Sequence, residues 1–191
     1  TCEHILAALG GMNLDNVSIE LDAPEPPIMD GSAKYFVEAI EKVGIVEQQA
    51  ERNEYIVREV ISYKNEETGS EITVIPADEY QVTTMVDFGT KILGTQNAYM
   101  NTLSEFKNDI ASARPFSFLH ELEVLLDRGL IKGGDLNNAI IYVDKEPSAE
   151  TMDKLKKVFN RDNVTVKPNG VLDNIPLHYS NEAARHKLLD V

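Results

Sequence analysis

One cysteine, no tryptophan and a shortage of cations narrow the reading before any motif is found. A lone Cys2 allows no internal disulfide and no cysteine-rich zinc site, so a reducing, cytoplasmic setting is expected. No apolar run approaches the roughly 18 residues that span a bilayer, and no secretory leader is legible. A soluble protein is therefore expected, with at most peripheral membrane contact. Lys and Arg number 18 against 32 Asp and Glu, giving a net charge of -14. No basic stripe is interleaved with aromatics, which argues against nucleic acid as a partner. An anionic substrate must then be held by a few local cations against an unfavourable overall field.

What is present is the composition of a globular chain, with 42% hydrophobic and 26% charged residues in 191. That length suffices for one domain or two small ones. Thr1 in place of Met, with Glu3-His4 following at once, leads us to expect a piece of a longer polypeptide, cut at both ends. The segment EHILAALGGM has a helical period that sets Ile5, Leu6 and Leu9 on one side and stops at Gly10-Gly11. NVSIELD alternates as a strand, and SAKYFVEAIEKVG reads as a helix capped by Ser32 and stopped at Gly44. The polar stretch 47–53 is the expected boundary, dividing the chain into 1–50 and 51–191.

Beyond it EYIVREVISYK, SEITVIPA and YQVTTMVDF read as strands, followed by helices over NAYMNTLSEFKNDIA and SFLHELEVLLDR, the latter stopped at Gly129. NAIIYVD reads as a strand. PSAETMDKLKKVFN reads as an amphipathic helix capped by Ser148, burying Met152, Leu155, Val158 and Phe159. A strand at VTVK, a PNG turn and a helix over EAARHKLLDV complete the chain.

That last helix carries the first chemistry. His186 and Asp190 lie one turn apart on one face, an imidazole and a carboxylate able to grip a divalent metal from the same side. A catalytic zinc usually takes three protein ligands and leaves a fourth position open, and His4 can supply the third if the two helices meet. Glu3, beside a ligand without being one, can then act as a general base. Plainer readings stay open on spacing alone: a surface i,i+4 pair at 186 and 190, and a helix start at Glu3-His4.

The segment TCEHILAALGGMNLDNVSIELDAPEPPIMDGSA, with its EHxxAAL helix, D-N strand and P-I-x-DGS turn, resembles the UDP-3-O-acyl-N-acetylglucosamine deacetylases, zinc amidases of bacterial lipid A synthesis. ARPFSFLHELEVLLDRGLIKGGDLNNAIIYVD resembles the loop, helix and strand around that family's acyl-chain passage, and EAARHKLLDV its RHKxLD metal helix. The resemblance implies an α+β fold of two two-layer α/β domains packed helix to helix, with the metal between them and the first domain truncated here. It implies zinc ligands at His4, His186 and Asp190, with iron(II) suiting the same ligand types, and a general base at Glu3. It further implies Lys187 on the substrate's anionic head group. Phe116 and Phe118 fall near the sugar and acyl chain, and Leu122 and Gly134 fall in the passage over 116–143. The implied partner is the UDP-sugar acyl substrate, whose acetamide is hydrolysed to release acetate. No oligomeric state follows.

The resemblance breaks at Pro115, where the family has a threonine whose hydroxyl helps polarise the scissile carbonyl. The family's histidine downstream of the metal helix is also absent from the sequence. Two other readings therefore stand beside the deacetylase: a non-catalytic zinc-binding domain or fragment, and the deacetylase part of a fusion with a hydroxyacyl-acyl carrier protein dehydratase. His120 and His178 are expected in surface or structural roles, Asp30 in an ordinary DGS turn, and the KGG at 132–134 lacks the phosphate-loop pattern.

Overall fold

The computed structural model of the chain describes residues 2–127, 137–158, 160–173 and 175–191. Gly129, the stretch 132–134 including Gly134, and Phe159 lie outside the described residues. Helix α1 (Glu3–Gly11) and helix α2 (Lys34–Val43) pack together. They are followed by the antiparallel pairs β1 (Ile61–Lys64) with β2 (Glu71–Val74) and β3 (Val82–Asp87) with β4 (Thr95–Met100). A 3₁₀ turn (Leu103–Glu105) and one wide helical turn (Phe106–Ile110) lead to β5 (Phe116–Phe118) and helix α3 (Leu119–Asp127). Strand β6 (Ile140–Tyr142) pairs in parallel with β5, and helices α4 (Ala149–Val158) and α5 (Glu182–Leu189) follow. The result is a mixed α+β chain with small two-stranded sheets. Among the described residues no helix is long and apolar enough to cross a membrane.

The β3–β4 pair positions the site. Val82, Thr84 and Val86 stand opposite Met100, Ala98 and Gln96 on one face of the ladder. Helix α5 lies on the pair with its small residues Ala183 and Ala184 fully buried, so that it settles close to the strands. Thr84 Oγ1 then donates to the Ala184 carbonyl at 2.9 Å, fixing the helix's place along β3. The core around it joins Ala8 of α1, Ala33 and Val37 near α2, Val86, Ala98, Met100, Phe106 and Ile110, and Leu188 of α5. This cluster draws residues from both sides of the stretch 47–53. A second core joins Leu119 and Leu122 to Ile141, Leu155 and Leu172, with Met152 packed at its edge.

The structure corrects several sequence expectations. In α1 the buried face is His4 and Ala8, while Leu6 is 55% exposed. Small residues face inward because the neighbouring chain comes close: a Cβ on Gly11 would lie 2.0 Å from the Phe106 ring. Val17, Ile19 and Leu21 alternate but are exposed and pair with no strand among the described residues. Alternation prepares a ladder, and only a neighbouring edge makes one. The helix expected from Asn97 is β4 as far as Met100, because its residues alternate in and out against β3. Only then does the chain coil, through the 3₁₀ turn and the wide turn, where the Ala111 amide bonds back to the Phe106 carbonyl at 2.8 Å. The strand expected at VTVK is reduced to isolated bridges, Val166 to Leu172 and Tyr142 to Val171 nearby. Ser148 does cap α4, its Oγ accepting from the Thr151 amide at 3.0 Å.

Candidate metal centre

Ala8 and Gly11 give α1 a face thin enough to approach the core, and His4 stands one turn before Ala8 on that face. His186 stands on the buried face of α5. The two helices touch, and the two imidazoles meet: His4 Nε2 lies 3.1 Å from His186 Nε2, with the rings edge to face. Their exposures are 3% and 4%, so both ring systems have left water. Burial, the largest influence, lowers the pKa of His186 to about 4, against the opposing pull of the Asp190 carboxylate. Burial likewise lowers the pKa of His4, with Glu3 and Asp190 pulling the other way. Both imidazoles are therefore neutral near pH 7, the form that binds metals.

Asp190 closes the last turn of α5. Its Oδ1 lies 3.6 Å from His186 Nδ1, on the opposite side of the ring from His4, and its Oδ2 is paired with Lys187 Nζ at 2.8 Å. A carboxylate on the Nδ1 side favours the His186 tautomer with its proton there, which leaves the Nε2 lone pair aimed at His4. With its proton at Nδ1, His186 Nε2 can accept a hydrogen bond from His4 Nε2–H across the 3.1 Å gap, and a cation entering there would replace that proton. Among the described residues, no group of three His, Cys, Asp or Glu side chains is gathered closely enough to hold a metal ion. The donor types nonetheless fit one. Two neutral imidazoles and a carboxylate suit a borderline cation such as zinc, and the Asp190 side chain is 29% exposed. Glu3 is half-buried in the same turn as His4, and its charge acts on both imidazoles.

Other residues singled out from the sequence are placed as follows. Phe116 and Phe118 join Phe88 and Tyr142 in an aromatic cluster with ring centroids 5.4 to 6.2 Å apart. Leu122 is buried in the α3–β6–α4 core. His120 pairs with Asp144 at the surface, and His178 Nδ1 bonds the Ser112 carbonyl at 2.9 Å. Asp30 closes its turn by accepting from the Ser32 amide and hydroxyl. That turn also touches the loop before β5, since a Cβ on Gly31 would lie 3.1 Å from Pro115 Cδ.

Sequence reasoning missed the polar anchor one turn before His186. Glu182 is fully buried and paired with Arg114, which is 4% exposed. In the sequence an acid in a helix's first turn reads as a partner of the helix dipole, and an arginine before a proline as surface charge. The available signal is position: Glu182 precedes His186 by four residues and shares its inward face.

A family model described as UDP-3-O-acyl N-acetylglycosamine deacetylase matches residues 1–161. The whole chain is 43% identical to a protein of Porphyromonas gingivalis named bifunctional enzyme LpxC/FabZ and 42% identical to one of the same name from Bacteroides thetaiotaomicron. It covers 41% of each of these relatives. It is also 36% identical, over its full length, to a UDP-3-O-acyl-N-acetylglucosamine deacetylase of Nostoc, covering 61% of that protein. The chain thus spans between about two fifths and three fifths of the length of these curated relatives.

Proposed function

The chain belongs to the UDP-3-O-acyl N-acetylglycosamine deacetylase family, and from that premise we propose that it carries the metal-holding centre of a lipid A deacetylase. The reaction is hydrolysis of the acetamide of UDP-3-O-acyl-N-acetylglucosamine, releasing acetate and leaving a free amine. One observation carries this reading: two buried, neutral imidazoles from the two ends of the chain face each other at 3.1 Å. Burying two polar rings has a cost unless both nitrogens are used.

In this reading His4, His186 and Asp190 hold the cation, zinc by preference and iron(II) by the same ligand types. When bound, the cation lowers the pKa of a water toward about 7 and polarises the amide carbonyl. Glu3, whose charge acts on both imidazoles, receives the proton of the attacking water on its carboxylate, and the departing nitrogen takes its proton from Glu3 or from the family's downstream histidine. Lys187, partly exposed, turns from Asp190 to the diphosphate. Phe116, backed by the buried Phe118, offers an apolar wall to the sugar and acyl chain, and we assign the acyl passage to the 116–143 region that holds Leu122, with Gly134 outside the described residues. We assign residues 1–50 and 51–191 to two two-layer α/β domains with the metal between them, where α1 and α5 meet. The exposed single cysteine suits a reducing cytoplasm, with at most peripheral membrane contact.

The names of the bifunctional relatives favour a second reading, in which this chain is the deacetylase part of a fusion with a hydroxyacyl-acyl carrier protein dehydratase. Metal analysis of the full-length protein tests the centre itself. His186→Ala and Asp190→Ala should each remove most bound metal, and full occupancy in both would overturn the assignment.

A further inference from the structure

The Glu182 carboxylate is fully enclosed, and every one of its hydrogen bonds comes from outside its own helix. Oε1 accepts from the Arg114 amide at 3.2 Å and from Arg114 Nε at 2.8 Å. Oε2 accepts from Arg114 Nη2 at 3.2 Å and from the His178 amide at 2.7 Å. Arg114 Nη2 also donates to the Pro176 carbonyl at 2.6 Å. One carboxylate therefore ties together the loop before β5, the approach to α5 and the first turn of α5. A buried ion pair is seldom the most stabilising filling for such a space, because the desolvation of both charges offsets most of their attraction. What it does supply is direction: a guanidinium fork and a carboxylate fit in one geometry.

That direction bears on the metal centre through residue 115. Its neighbour Arg114 is bonded to Glu182 through the backbone as well as the side chain, and Glu182 stands one helical turn from His186. The Pro115 carbonyl accepts from the Ile140 amide at 2.8 Å, and the Pro115 ring lies against Gly31, next to Asp30, whose charge acts on His4. Residue 115 is thus held between the element that carries His186 and a turn close enough to influence His4. Phe116 leads directly from it into β5.

We propose that Glu182 and Arg114 are positioning residues, which set the 113–116 loop against α5 so that the bound acetamide is aligned over the metal centre. The alignment rests on the deacetylase reading, whereas the setting of the loop does not. The test uses the zinc-loaded full-length enzyme with Glu182→Gln, which removes the charge and keeps the shape. Should that variant fail to fold, Arg114→Met with Glu182→Met replaces both charges by apolar chains of similar length and keeps the question answerable. Hydrogen exchange is read first. Positioning predicts at least tenfold faster exchange of amides in 112–118, with β3, β4 and the last turns of α5 unchanged. In turnover, kcat should fall at least tenfold, KM should change less than threefold, and zinc affinity should stay within threefold. Exchange that rises uniformly, or not at all in 112–118, overturns the proposal whether or not the enzyme turns over. An unchanged kcat in a folded, zinc-loaded variant overturns the alignment. If the parent enzyme itself shows no deacetylation, the functional reading fails and the exchange result still decides the setting of the loop.

Discussion

Helices α1 and α5 each bring one imidazole to the site, and they are held there by different forces. Helix α5 is pinned by directed bonds: Thr84 to its Ala184 carbonyl, Glu182 to Arg114, and Arg185 to the Asp109 carbonyl with its guanidinium 4.2 Å over the Tyr179 ring. Asn181, at its start, donates to the Asn97 carbonyl of β4 at 2.8 Å. Helix α1 offers only Glu3 and His4 as polar side chains, and from Ile5 to Gly11 it is apolar or glycine. Apart from the His4–His186 contact it is held by fit, with Ala8 buried and Gly11 against the Phe106 ring. Directed bonds fix where a helix sits and how it is turned, whereas close packing mainly fixes how near it lies. A cation shared by His4 and His186 would therefore tie the loosely directed helix to the firmly directed one.

The largest expected effect separates the two polar residues of α1. In the zinc-loaded full-length enzyme, Glu3→Gln should keep the metal and lower kcat by roughly 10²–10⁴-fold, the usual loss when a general base is removed. Paired metal analysis and steady-state kinetics check it. Loss of metal would make Glu3 a ligand and leave α1 contributing two donors.

Next in size is a dependence on pH in the metal-free chain. Both imidazoles titrate below their usual 6.5 because burial disfavours the charged ring, His186 at about 4. As pH falls through 6.5 the unfolded chain takes up protons that the folded chain refuses, so stability is full above that point and declines toward pH 4. The slope from one such group is at most about 1.4 kcal/mol per pH unit. Urea midpoints measured from pH 7.5 to 4 should show this decline, with a smaller one in His186→Ala. An identical decline in both would mean that surface carboxylates account for it.

The neighbouring glycines of α1 sharpen the contrast further. A Cβ at Gly11 meets the Phe106 ring at 2.0 Å, whereas a Cβ at Gly10 meets nothing within 4 Å. Gly11→Ala should destabilise by about 1–3 kcal/mol through overpacking. Gly10→Ala should stabilise by about 0.5–1 kcal/mol through helix propensity. Equal effects in denaturant titrations would show that α1 is not held by fit at this point.

Local pattern in the sequence reached most of the elements and little of how they meet. The caps at Ser148 and the stop at Gly44 were legible because they are written in adjacent residues. The alternation of YQVTTMVDF gave β3, but its partner NAYM was misread, since small and polar residues on an exposed-and-backed strand leave no clear period. The strands of the β1–β2 hairpin alternate as well, yet every residue in both is exposed, because no helix or sheet among the described residues covers them. For the site, the one-turn spacing of His186 and Asp190 was legible, while the meeting with His4 across 182 residues came only with the family resemblance. The Glu182–Arg114 pair was invisible, since burial of two charges depends on a fold that neither residue announces.

The smallest expected effect tests the most modest of the α5 anchors. Thr84 lies on the inward face of β3 opposite Ala98, and its hydroxyl donates to a helix carbonyl, Ala184, that is already used within α5. Thr84→Val keeps the shape, the β-branching and the strand preference while removing only that donor. No buried acceptor is left bare, because the carbonyl keeps its helical partner, so the loss should be near the ordinary net value of about 1 kcal/mol. If the bond also sets the place of α5 along β3, the variant should bind zinc more weakly, by about two- to fivefold, a small share of the roughly 10–100-fold that groups directly supporting metal ligands contribute. Denaturant titration and competition against a chelator separate the two quantities. A stability loss with unchanged zinc affinity would mean that Glu182 and Arg185 hold α5 without Thr84. Weaker zinc binding at unchanged stability would mean the reverse, that this one hydroxyl adjusts the distance between His186 and His4.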